Sequence, residues 1–172
     1  MARTSIKRER TVIGFFNRRI SLRAAGAALI LGCAGTLAQA SDPAQIEVNK
    51  KSVVEFFDKA FNQKDFEAAK VYFGPQYVDH NPAASGDGAK DIDGIRRFIG
   101  FLRSDFPQSH AEIERVLADG DYVMVHAHGV RQPGTRGRAV VDIFRLEQGK
   151  IVEHWDVVQD IPDNTRNAHP FF

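Results

Sequence analysis

A chain of 172 residues, 43% hydrophobic and 26% charged, has too much apolar content for a disordered tail and enough length for one sizeable core. Its formal net charge of +1 hides an asymmetry: residues 1–40 hold seven Arg or Lys and one Glu, leaving sixteen basic against twenty-one acidic residues in the remainder. An acidic remainder with scattered arginines and no basic stripe excludes a nucleic-acid groove, and a single cysteine, Cys33, excludes an internal disulfide framework.

Residues 1–40 read as a signal or targeting segment. Arg18, Arg19 and Arg23 precede the apolar run from Ala24 to Gly32, and Ala38-Gln39-Ala40 supplies a small-x-small site for a signal peptidase. The run is too short and too rich in alanine and glycine for a stable membrane span in the mature form, so an exported protein, periplasmic or secreted, is expected. Asn17-Arg18-Arg19 followed by Ile20-Ser21-Leu22-Arg23 suggests the twin-arginine route. Lipidation at Cys33 is the less favoured alternative, because Leu31 is bulky for the second place before such a site. Cleavage after Ala40 leaves about 130 residues, enough for one domain, which is expected over 41–162 with a C-terminal tail over 163–172. It also removes the cysteine, so stability must come from packing.

From Pro43 to Asn62 the pattern is helical, with Val53, Phe57, Ala60 and Phe61 on one side. A short second helix is expected from about Asp65 to Tyr72, where Gly74-Pro75 stops it. Gln76 to Lys90 reads as a polar loop, with a short extra strand between the second and third helices as a plausible addition. The third helix, about Asp91 to Ser104, carries Ile92, Ile95, Ile99 and Leu102. Strands follow from His110 to Leu117, Asp121 to Gly129, Arg138 to Leu146 and Lys150 to Val158, with turns at Asp119-Gly120 and Glu147-Gln148-Gly149. Three helices followed by antiparallel strands predict an α+β fold, a cone-shaped barrel in which the helices pack on a curved antiparallel sheet. The terminal Phe171-Phe172 is expected to pack on the domain or on a partner subunit.

The chemistry-bearing residues gather on the strands. His126 and His128 share a face with Tyr122 and Met124, while Val140, Asp142, Phe144 and Leu146 share a face of the next strand. Both faces of that next strand are apolar, so Asp142 is a carboxylate with little surface, and such a group needs hydrogen bonds, a cation or its own proton. A histidine partner would make a pair able to move a proton near neutral pH. Parity leaves the register between the strands open and so does not by itself bring His128 to Asp142; a polar pair that merely closes the barrel is the competing reading. His154 and Trp155 point to opposite faces, so one lines a cavity while the other packs behind it. His80 and Tyr77, in the segment after the second helix, are candidates for the rim of a pocket.

A metal is the competitor for His80, His126, His128, His154 and Asp142, but no compact HxxxH with a third ligand appears and His126-x-His128 is a weak pair. The sequence has no CxxCH for haem, no glycine-rich turn for a dinucleotide and no nucleophile elbow. Neither a metal nor an organic cofactor is therefore expected.

Tyr77-Val78-Asp79-His80-Asn81-Pro82, Val125-His126-x-His128, Val141-Asp142-Ile143-Phe144-Arg145 and Gly149-Lys150-Ile151-Val152-Glu153-His154-Trp155-Asp156 together resemble the SnoaL-like polyketide cyclase family, within the nuclear-transport-factor-two-like superfamily. The resemblance spans Ile46 to Pro162. It implies a cone of helices and curved sheet, commonly a homodimer through sheet faces, and a ring-closing aldol condensation without metal or organic cofactor. By similarity Asp142 would be the general acid/base and His128 its assistant. His80, His126, Trp155, Tyr77, Phe144, Met124 and His154 would contact a small apolar carbonyl compound. A related dehydratase or isomerase, or a noncatalytic binder of small apolar ligands, would use the same fold, and the leader favours a substrate other than a cytoplasmic polyketide.

Overall fold

The computed structural model describes residues 42–81, 91–164 and 166–172. The leader expected over 1–40 and the loop around Ser85 to Gly88 lie outside the described residues. Helix α1 runs over Pro43–Phe57. The Asp42 carboxylate accepts from the Ala44 N–H at 3.0 Å and Pro43 occupies the first turn, so the sequence itself caps this end. A turn of π-helix, Asp58–Asn62, closes it with the Gln63 N–H on the Asp58 carbonyl, carrying Ala60 into the core before the chain reverses through Lys64 at φ +53°.

The short second helix is α2, Phe66–Ala69, capped by Asp65 and extended by a 3-10 turn over Lys70–Tyr72. The structure then departs from the polar-loop reading. Phe73–Asp79 is strand β1, the extra strand between helices two and three, and it pairs parallel to the last strand. Gly74 is needed here, since a Cβ would stand 2.8 Å from Val152 Cγ1. Helix α3 covers Asp91–Asp105, followed by β2 His110–Asp119, β3 Tyr122–Val130, β4 Arg138–Glu147 and β5 Lys150–Asp160.

The sheet order is β1-β5-β4-β3-β2. All neighbours are antiparallel except β1 and β5, so the sheet is mixed rather than purely antiparallel, and it stays open rather than closing into a barrel. Both tight turns use the expected residues: Gly120 takes φ +58°, and Gln148 and Gly149 take +51° and +77°, the pair of positive values that a two-residue hairpin with right-handed twist requires.

The core lies between the helices and one face of the sheet. Phe56 meets Phe73 and Phe144 edge-on at centroid distances of 5.0 and 5.7 Å, with Val53, Ile99, Val123, Val125, Leu146 and Ile151 filled in around them. Phe144→Ala removes the ring that joins the helical layer to the sheet and is expected to cost about 3–5 kcal/mol, read as a lower denaturant midpoint at unchanged slope.

Candidate functional site

Burial alternates along β3. Val123, Val125 and Ala127 are fully buried on the helix side, which puts Tyr122, Met124, His126 and His128 on the outer side of the sheet. The pairing of β3 with β4 sets Asp142 opposite Val125 and His128 opposite Ala139. Asp142 therefore faces inward and His128 outward, and the expected Asp142–His128 pair does not form. His128 Nε2 instead donates to the Arg136 carbonyl at 2.7 Å, and its ring packs against Phe172.

The partner of Asp142 is His154. In the pairing of β4 with β5, Phe144 faces His154 and Asp142 faces Asp156, so the two acids and the imidazole share the inner face. His154 Nε2 lies 3.0 Å from Asp142 Oδ1 and Nδ1 lies 3.1 Å from Asp79 Oδ1. An imidazole whose two nitrogens both face carboxylate oxygens donates twice, which only the imidazolium can do. All three residues are buried: Asp142 is 4% exposed, Asp79 6% and His154 6%. Burial alone would discharge the imidazole, yet the hydrogen bonds and charges of Asp142 and Asp79 outweigh it and push its pKa up to about 9.

The two carboxylates differ in what they have left to give. Burial works against the Asp79 anion, but His154, the Asn81 N–H and the Tyr77 hydroxyl all donate to it and hold its pKa below the usual value. Asp142 accepts from His154 through Oδ1 alone; among the described residues its other oxygen receives no hydrogen bond. Asp156, beside it on β5, accepts from Asn81 Nδ2 at 2.6 Å. Its pKa is raised, first by burial and then by the nearby Asp142 and Asp79, against the lowering effect of His154.

These groups form one wall of a cavity of about 430 Å³, whose apolar lining includes Phe57, Phe61, Ile95, Phe98, Leu102, Ala127, Val140 and Val158. The cavity exists because the inward side chains of β3 shrink from Val125 to Ala127 to Gly129, leaving the space under α3 unfilled. Among the described residues no group of three His, Cys, Asp or Glu side chains is arranged to hold a metal ion.

Of the residues expected from sequence, Asp142 and His154 line this cavity. Phe144 stacks on His154 at 4.9 Å and Tyr77 donates to Asp79, so both support the site from behind. His80 stacks on Trp155 at 4.6 Å with nearly parallel rings and lies 3.4 Å from Glu153, on the outer face with Met124 and His126. Sequence reasoning misses Asp79, Asn81 and Asp156. A signal for Asp79 is present, since Tyr77 and Asp79 alternate with Val78 and His80 as in any half-buried strand, but the segment reads as a loop until its partner strand is known.

The sequence profile of the SnoaL-like domain matches residues 53–154. Among proteins of curated function, none matches this chain. Solved structures share the fold at low identity. A candidate polyketide cyclase from Bacillus cereus is 19% identical over 71% of this chain and 89% of its own, with a TM-score of 0.56. A candidate polyketide cyclase from Acidithiobacillus ferrooxidans is 21% identical over 64% and 87%, with a TM-score of 0.53. Wild-type IdmH from Streptomyces antibioticus, also described as a candidate polyketide cyclase, is 24% identical over 64% and 91%, with a TM-score of 0.51. The profile covers more than half of the sequence, including β1, Asp142 and His154, and this chain belongs to the SnoaL-like domain family.

Proposed function

We propose that the protein is a cofactor-independent acid/base enzyme that acts on a small, largely apolar carbonyl compound, with aldol ring closure as the reaction class. The observation that carries this reading is the unequal pair of carboxylates on His154: Asp79 is saturated with donors, whereas Asp142, among the described residues, keeps one oxygen unbonded and lines a largely apolar cavity. Asp142 takes a proton from the carbon next to a carbonyl. The enolate attacks a second carbonyl of the same molecule, and Asp156, whose burial favours the protonated form, gives its proton to the oxygen of that carbonyl. The proton on Asp142 then returns to Asp156, its cross-strand neighbour, and both groups are reset. His154 is a positioning residue that holds Asp142 and balances its charge. Loss of water from the aldol, or double-bond migration, begins with the same abstraction.

The test needs no knowledge of the natural substrate. In deuterium oxide the protein is expected to exchange the protons next to the carbonyl of an apolar ketone such as benzylacetone faster than buffer, followed by proton NMR. Exchange at the buffer rate, with the ketone shown to bind, would overturn the acid/base reading in favour of a noncatalytic binder.

In the same reading the protein is exported by way of residues 1–40 and works as a homodimer. Leu117, Tyr122 and Val157, 57%, 49% and 66% exposed, stand on the outer face of the sheet beside Trp155 and support a covered face there. Sedimentation is expected to give a dimer that Val157→Lys weakens; a wild-type monomer at micromolar concentration would contradict it.

A further inference from the structure

The cavity has a second polar end that proton transfer does not use. Arg138 stands on the same face of β4 as Asp142, four residues away, or roughly 13 Å along the strand, and lines the cavity together with Arg131, the residue that follows β3. Gly129, opposite Arg138 in the ladder, leaves this end open. Arg138 Nε lies 2.7 Å from Asp160.

Arg131 has no such partner. Its guanidinium sits 5.8–5.9 Å from the ring centroids of Phe98, Phe101 and Phe106, and among the described residues it makes no hydrogen bond or ion pair. Burial and the neighbouring Arg138 lower its pKa, against the opposing effect of Asp160. Three rings offset part of the cost of desolvating a cation, but they accept none of its five N–H bonds. An arginine held half out of water, beside a second arginine and unpaired, is short of an anion.

We infer that this end of the cavity is a carboxylate subsite and that the ligand is an amphiphilic keto acid. Its carboxylate lies between Arg131 and Arg138, its apolar middle runs past Val140 and Val158, and its carbonyl reaches Asp142. A monoanion suits the site better than a dianion, since Asp160 already neutralises one guanidinium and three acids stand at the far end. The orientation of the ligand rests on the acid/base reading; the carboxylate subsite does not.

Calorimetric binding of octanoate and of octanamide to the purified protein at neutral pH separates the two. Wild type is expected to hold octanoate about tenfold more tightly or better, the size of one charge-assisted pairing. Arg131→Gln should bring the two affinities within about twofold of each other, while Arg131→Lys keeps the preference for the anion. Should the glutamine variant not fold, Arg138→Gln is scored the same way. Equal binding of the two probes to wild type, binding of neither, or a preference that survives Arg131→Gln overturns the subsite. A packing role for Arg131 predicts lower stability with no discrimination between the probes. Because no turnover is read, Asp142→Asn should retain the octanoate preference even if ketone exchange is never seen.

Discussion

Asp142→Asn is expected to lower the rate of ketone α-proton exchange by about 10²- to 10⁴-fold, the range that a positioned general base contributes, while the fold persists. Asparagine matches aspartate in shape and its side-chain carbonyl can still accept from His154 Nε2, so the cross-strand contact at 3.0 Å survives. What disappears is the proton-accepting oxygen facing the cavity. Asp79→Asn provides the contrast. It also removes a carboxylate from His154, but one already saturated by Tyr77 and Asn81, so its effect on exchange should be smaller than that of Asp142→Asn. Proton NMR in deuterium oxide reads both variants, and near-ultraviolet circular dichroism confirms that each is folded. Equal exchange by Asp142→Asn and wild type would remove Asp142 from the chemistry.

Removing the imidazole is expected to cost as much stability as emptying the core at Phe144. His154→Ala leaves two buried carboxylates, Asp79 and Asp142, without the cation between them, at a cost of about 3–5 kcal/mol. For a domain of this size that corresponds to a melting temperature lower by about 10 °C or more. The pH dependence carries a separate signature. The folded pKa of His154, about 9, lies above the ordinary value of 6.5, so folding takes up a proton. The resulting stabilisation is fully present below pH 6.5 and is lost as pH rises through about 9; its size is on the order of 3 kcal/mol. Asp79 acts at the other edge. Its folded pKa lies below the ordinary 3.8, so its contribution is present above that value and is lost as pH falls through the folded one. Urea midpoints measured across pH should therefore form a plateau between about pH 4 and 6.5, with an alkaline decline that vanishes in His154→Ala. An alkaline decline of the same size in the variant would show that another group is responsible.

The order of helices and hairpins was legible without coordinates because each is specified locally. Val53, Phe57 and Ala60 recur at helical spacing, Asp42 and Asp65 cap the helices that begin just after them, and glycines at 120 and 149 supply the left-handed turn positions that close the two hairpins. The parity of each strand could also be read, and it placed His126 with His128 and Asp142 with Phe144. Parity says which residues share a face of one strand, but not which face turns toward the helices. That choice was made when Val123, Val125 and Ala127 were buried on the helix side, turning His128 outward and leaving Asp142 to meet His154 across a different strand pair. Strand β1 was hidden for a related reason. Gly74-Pro75 and the polar residues after it carry little strand propensity of their own, and the segment is extended because it pairs with β5, more than seventy residues further along the chain. The sequence by itself thus determined the helices, the two hairpins and the presence of an acid and an imidazole in the last of them. Only the tertiary structure decided that Asp79, His154 and Asp142 form one buried chain beside a cavity, because pairing register and the choice of inner face are set by contacts between distant strands.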